Sequence, residues 1–315
     1  VTALYQTAGS VTSVEAVQQS CITMKAITEK SSEVSPDTQV TAASAVENMA
    51  EKLKSVDVSE ELSENIENTA TELVSSLSNI LVATDATVQE KIKTGTEEAV
   101  DVMSLSPEEA EQRERDLQAS QETQQEDETM AKDTARQVST KTFKAATAIS
   151  GLVMKTKTIG SPALVIDSPK LSMVLERSEP TALAGKAVTA RGGSFNIPAA
   201  ISAKLGEGSG PVDMKVMSLP TNPFIWDESA SSINSPVVSL AFQGSDGNEL
   251  AMDDMEEPFE IRINNSPEKV PIPRRFDPPS PPDESEEENF YYDYEPAADM
   301  DYAFHVIDVP RSDNA

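Results

Sequence analysis

The 315 residues carry 25 Lys and Arg against 54 Asp and Glu, a formal charge of -29. That balance excludes a phosphate-binding surface of the nucleic-acid type and disfavours an anionic membrane face. No run of about 18 apolar residues is present to span a bilayer, and one cysteine, Cys21, excludes an internal disulfide framework or a multi-cysteine zinc site.

The length predicts two domains. The start, Val1 to Ser20, lacks the basic, apolar and small-residue blocks of a signal peptide, so the chain reads as cut from something longer. Composition changes near residue 155. Eighteen of the 20 prolines and 12 of the 14 aromatics follow that point. Proline is costly inside helices and aromatics fit pleated surfaces, so the predicted fold is α+β: a helical subdomain over 1–155, then a mainly antiparallel β-sandwich over 162–315.

In the first half apolar residues recur at helical spacing. Val14, Val17, Cys21 and Met24 form one stripe. A second helix has Ser35 as N-cap and Pro36 in its first turn, then Val40, Ala43, Val46, Met49 and Leu53. A third runs through Leu62, Ile66, Ala70, Leu73, Leu77 and Leu81, with Asp57 and Glu60 as its capping box. Thr87 and Glu90 repeat that box, which predicts a new start before Val88, Ile92 and Val102. The predicted helices are short and joined by a few residues. Ser106, Pro107 and Glu109 spell another start, but residues 106–137 are so polar that they fit either a solvated helix or a disordered insertion. A last helix carries Val138, Phe143, Ala146, Ile149 and Val153 and closes in the stretch Gly151 to Gly160, the predicted boundary.

Beyond residue 162 the period becomes two. Leu171, Met173 and Leu175 alternate with Ser172, Val174 and Glu176. Val212, Met214 and Val216 alternate with Asp213, Lys215 and Met217. Val238, Leu240 and Phe242 precede a turn at Ser245, Asp246, Gly247 and Asn248, and Phe259, Ile261 and Ile263 follow it. Short strands with turns between them predict a sandwich, because a parallel sheet needs crossover helices. Residues 267–301 break the pattern: ten acidic and no basic residues lie between Asp277 and Asp301, which predicts a disordered insertion. A final strand holds Tyr302, Phe304 and Val306.

Candidate chemistry is sparse. His305 is the sole histidine, so no multi-histidine metal site exists, and its reading is an ordinary strand residue. The run Gly206, Gly208, Ser209, Gly210 lacks the strand and helix context of a nucleophile elbow, and Gly185 with Lys186 lacks the rest of a phosphate loop. Asp253 and Asp254 with Glu256 and Glu257 fit a solvated acidic turn better than a calcium loop. Cys21 on an apolar stripe reads as a core thiol. No catalytic, cofactor or metal residue is assigned. Asn264, with Asn265 and Ser266, is the one glycosylation triplet, weakened by Pro267. Tyr291, Tyr292 and Tyr294 lie among acidic residues, a neighbourhood open to tyrosine sulfation, although a plain solvated linker is the simpler reading.

The segment Asn222, Pro223, Phe224, Ile225, Trp226, Asp227, then Ile233 to Phe242, then Pro258 to Ile263, resembles the extracellular region of the polycystin and receptor-for-egg-jelly family. Ser194 to Pro198 and Phe304 to Pro310 fit the same pattern, so the resemblance covers about residues 160–315, while the helical half matches only in character. It implies a GAIN-like fold ahead of a GPS proteolysis site and membrane spans, no enzymatic activity, and placement on the extracellular side of the plasma membrane or cilium. The implied partners are the remainder of a receptor or channel-type parent and an unknown extracellular ligand. The residues expected to matter are structural: Phe224, Trp226, Leu240, Phe242, Phe259 and Ile261. The acidic segment 277–301 departs from the family's short connection. An acidic helical stalk or spacer without a receptor role remains the other reading.

Overall fold

A computed structural model describes residues 14–55, 63–93, 107–206, 210–227, 229–230, 233, 235–244, 247–253 and 255–264. Outside them lie the capping box at Asp57 and Glu60, Val102, Asp254, Asn265 and Ser266, the 267–301 segment with its tyrosines, and the strand around His305. The chain divides into a unit over Val1–Pro271 and a second over Ile272–Ala315, of which no residue is described.

Among the described residues four long helices precede the strands. Helix α1 (Val14–Thr28) buries the predicted stripe of Val14, Val17, Cys21 and Met24 against α3. Burial, reinforced by the negative charge of Glu72, pushes the Cys21 thiol up to about 12. A thiol reagent should therefore leave the native protein unmodified and titrate one thiol in denaturant; fast native labelling would show that α1 opens.

Helix α2 (Pro36–Ser55) starts where predicted. The Ser35 carbonyl accepts the Gln39 N–H at 2.9 Å, and proline fits the first turn because its missing N–H has no intrahelical acceptor there. Its buried apolar positions are Ala42, Ala43, Ala45, Val46, Met49, Ala50 and Leu53, a stripe widened by small alanines that allows α3 and α4 to approach together.

The expected break at Thr87 is absent. Helix α3 runs unbroken over Ser63–Lys93, because Val82 to Ala86 contain no glycine or proline to stop it. Thr87 returns its hydroxyl to the Ala83 carbonyl at 3.0 Å and accepts the Gln39 amide at 2.9 Å. Gln39 is fully buried yet satisfied. Its Nε2 also donates to the Val34 carbonyl, and its Oε1 accepts from Thr84 at 3.1 Å. The capping signal was real chemistry in the wrong place: the same hydroxyl anchors a neighbouring helix.

Helix α4 (Pro107–Thr156) is fifty residues long, so the polar segment from Pro107 onward is a solvated helix and not a disordered insertion. Gly151 lies inside it and does not end it. Glu, Gln, Ala and Arg dominate its first half, and their intrinsic preference sustains the helix where burial does not. Burial begins at Ala131 and continues through Val138, Ala145, Ile149, Leu152 and Val153.

The strands form two antiparallel sheets. One has the order β1 (Leu164–Asp167), β2 (Ser172–Ser178), β5 (Val212–Leu219), β6 (Val237–Gln243). The other has β3 (Ala187–Ala190), β4 (Gly193–Asn196), β7 (Glu260–Ile263). Short helices α5 (Pro180–Leu183) and α6 (Ile201–Leu205) flank β3 and β4 in the chain. The fold is therefore α+β, helices first and antiparallel sheets after. Sequence reading missed β1, β3 and β4. Arg191 and Gly192 make the two-residue β3–β4 turn, with Gly192 at φ +90°, where a Cβ would meet the Pro236 side chain at 2.8 Å.

The larger sheet is covered on both faces. Met173, Leu175, Met217, Leu219 and Val237 pack into the helical core, while Val174, Val212, Met214, Val216 and Phe242 pack toward the second sheet. Alternation of side chains along a strand makes one sheet serve two cores, giving a helix, sheet, sheet stack. The stretch Lys157 to Ala163 is thus a junction within one unit.

Candidate functional site: an aromatic clasp over the helices

The segment Asn222 to Asp227 lies in the connection from β5 to β6. Local hydrogen bonds shape it. Asn222 Oδ1 accepts the Phe224 N–H at 2.9 Å, the Phe224 carbonyl accepts the Asp227 N–H at 3.0 Å, and Asp227 Oδ1 accepts both the N–H and hydroxyl of Ser229. Those donors hold the Asp227 carboxyl below its ordinary value, the hydroxyl contributing most. The turned segment presents Phe224, Ile225 and Trp226 to the helical layer.

Phe224 stacks on Phe143 of α4 with ring centroids 5.9 Å apart, and Trp226 meets Phe224 edge-on at 5.4 Å. Ile225 and Trp226 pack on Val88 of α3 and on Ala131 and Ala135 of α4. Ser139 of α4 donates its hydroxyl to the Pro223 carbonyl at 3.1 Å in a buried contact. The connection therefore closes over α3 and α4 as a clasp.

Ionic contacts hold the same layers together. Lys170, in the β1–β2 connection, pairs with Asp85 of α3 and donates to Thr221 Oγ1 at 3.1 Å, while its backbone N–H bonds Ser78 Oγ at 2.9 Å. Burial raises the Asp85 pKa and Lys170 opposes that rise. Lys157, almost fully buried, pairs with Glu67 of α3 at 2.9 Å. Arg177 of β2 grips Asp213 of β5 bidentately at 2.6 and 2.8 Å, on the face turned toward the helices.

The six residues expected to matter fall into two groups. Phe224 and Trp226 form the clasp. Leu240, Phe242, Phe259 and Ile261 belong to the core between the sheets, where Phe242 and Phe259 lie 6.1 Å apart. Asn264 is exposed at the end of β7. Asp253 pairs with Lys204 at 3.2 Å, and Glu257 accepts the Ala200 N–H, so neither is arranged around a cation. Among the described residues no group of three His, Cys, Asp or Glu is placed to hold a metal ion, and no helix is long and apolar enough to cross a membrane.

Sequence reading placed Phe143 on an inward stripe and missed its partner. Its signal was its isolation, since Tyr5 is the only other aromatic before residue 155. Ser139, Asp85 and Lys170 carried no signal in the sequence. Because Trp226 is the sole tryptophan, its fluorescence reports the clasp. Phe143→Ala should redden that emission and lower stability by about 1 kcal/mol, the worth of an aromatic pair at a half-exposed site. An unchanged spectrum would mean the rings are not engaged in solution.

Comparison with protein-family models and with curated proteins finds no match to this chain.

Proposed function

We propose that the chain is a non-enzymatic portion of the extracellular region of a polycystin or receptor-for-egg-jelly type membrane receptor or channel-type protein. In this reading the unit is GAIN-like. It scaffolds a downstream proteolysis segment and relays ligand or mechanical input to the membrane part, which, with an extracellular ligand, supplies its partners. The observation that supports it most is the clasp: the segment carrying the resemblance joins the sheet to α3 and α4 through Phe224, Trp226 and the Ser139 bond. A load applied to either layer is thereby shared with the other, as a relay between extracellular and membrane parts requires.

Two measurements test this. The coding sequence beyond Ala315 should continue into a segment with cysteines and tryptophans and then a membrane span; a stop codon or an unrelated domain there sinks the receptor reading. Antibody against the 1–315 region should also stain intact cells, and staining only after permeabilisation would overturn the extracellular placement.

The acidic stalk reading draws on one observation, the fifty-residue α4 with a solvated first half. It predicts that the encoded protein has no membrane-spanning segment.

A further inference from the structure

Among the described residues three buried side-chain polar atoms find no hydrogen-bond partner: Thr142 Oγ1, Ser161 Oγ and Asn222 Nδ2. Two of them belong to the aromatic clasp. Thr142 follows Ser139 by one turn of α4 and Ala135 by two, and it adjoins Phe143, so helical spacing puts it on the face that the clasp covers. Asn222 directly precedes Pro223 and Phe224, the residues that touch Ser139 and Phe143. Its Oδ1 shapes the turn through the Phe224 N–H, while its Nδ2 is left without an acceptor in the closed form.

A buried polar group without a partner penalises the state that buries it, because water satisfies the same group once it is uncovered. The apolar gain that opposes this penalty is small at the clasp. Beneath Ile225 and Trp226 the buried side chains are Val88, Ala131 and Ala135, two of them single methyl groups, and they form a cluster apart from both main cores. Phe224 itself is 38 % exposed, so its stack on Phe143 encloses only part of the ring.

We propose that the clasp is a releasable latch: the turn from Asn222 to Asp227 lifts from α4 as a unit while the sheets and the helical core stay folded. Opening hydrates Thr142 and Asn222 and uncovers an apolar strip of Val88, Ala131, Ala135 and Phe143. The turn keeps its shape when it lifts, since the bonds from Asn222 to Phe224 and from Phe224 to Asp227 are internal to it. Thr221, held by Lys170 from the β1–β2 connection, marks the hinge. Openings smaller than global unfolding draw on the regions with the fewest buried apolar contacts, and the clasp is such a region. The latch follows from these contacts alone and stands independently of the receptor reading.

The test is thiol labelling of the full chain. Ala135→Cys places a thiol beneath Trp226, while Cys21 in the helical core serves as the clock for wider opening. Reaction with iodoacetamide, read site by site by mass spectrometry, should be about a hundredfold faster at position 135 than at Cys21. Adding Thr142→Val removes the unpartnered hydroxyl with little change of shape, and should slow labelling at position 135 about tenfold while leaving Cys21 unaffected. Adding Phe143→Ala instead should speed it about fivefold. The Ala135→Cys protein should keep the wild-type Trp226 emission; if the emission moves, Ala131→Cys, also buried under the clasp, takes its place. Equal rates at the two sites overturn the proposal, because the clasp then opens only with the core. So does unchanged or faster labelling with Thr142→Val, which would mean that the hydroxyl does not penalise the closed form.

Discussion

Phe242→Ala will lower the free energy of unfolding by about 3–5 kcal/mol, the range for removing a fully enclosed aromatic ring. Phe242 is 2 % exposed on the last strand of the larger sheet. It pairs across the ladder with Met214, itself fully buried, and packs near Phe259 from the second sheet. Its neighbours are held by strand pairing and cannot collapse into the space left behind, so both the transfer and the cavity contributions are lost. Urea unfolding followed by circular dichroism measures the loss. Leu240→Ala is the internal comparison, since Leu240 lies on the same face only half-buried and should cost clearly less. Equal effects would mean that the inter-sheet core is not packed as described.

Lys170→Met should destabilise by about 2–3 kcal/mol at neutral pH, toward the lower end for breaking a buried pair because about a fifth of each side chain meets water. Asp85 would keep its burial and lose its counter-charge. The pH dependence carries a definite sign. Burial raises the folded pKa of Asp85 above its unfolded value of about 3.9, so the folded state holds the proton more tightly. Below the unfolded value the acid is neutral in both states and the missing lysine costs little. As pH rises from the unfolded value toward the folded one the unfolded chain ionises first and the penalty grows, levelling off once the carboxylate also forms inside the protein. Lys170→Met widens that window by removing the one cation that opposed the rise. Its deficit relative to wild type should therefore increase with pH, and adding Asp85→Asn should recover most of it. A deficit independent of pH would show that the aliphatic stem of Lys170, and not its charge, matters.

Much of the architecture was legible because it follows from local rules. The stripes of α1 and α2, the Ser35 and Pro36 start, and the period-two runs of β2, β5 and β6 each state in a few residues which face is covered. Helix lengths were not, because Thr87 and Gly151 are punctuation only when nothing outside the segment satisfies the backbone; Gln39 and the packing of α4 overrode them. The hairpin of β3 and β4 escaped notice since four-residue strands leave too few alternations to count. At the clasp, the aromatic residues from Phe224 to Trp226 stood out, but their partners Phe143 and Ser139 lie about eighty residues away in the chain. Nothing in sequence spacing encodes that meeting; it depends on α4 running alongside the larger sheet.

The length of α4 has a mechanical corollary. At 1.5 Å per residue the turns from Pro107 to Met130, which precede the first buried position, extend for about 36 Å as a stiff lever. Its fulcrum is the stretch from Ala131 onward, where Ala135 and Phe143 sit under the clasp. A rotation of about 10° there would carry the tip about 6 Å, whereas the side chains at the fulcrum would shift by well under an ångström. Small repacking beneath Phe224 and Trp226 is thus geometrically amplified at the far end of the rod, where Glu108, Glu111, Gln112, Arg115 and Asp116 are exposed.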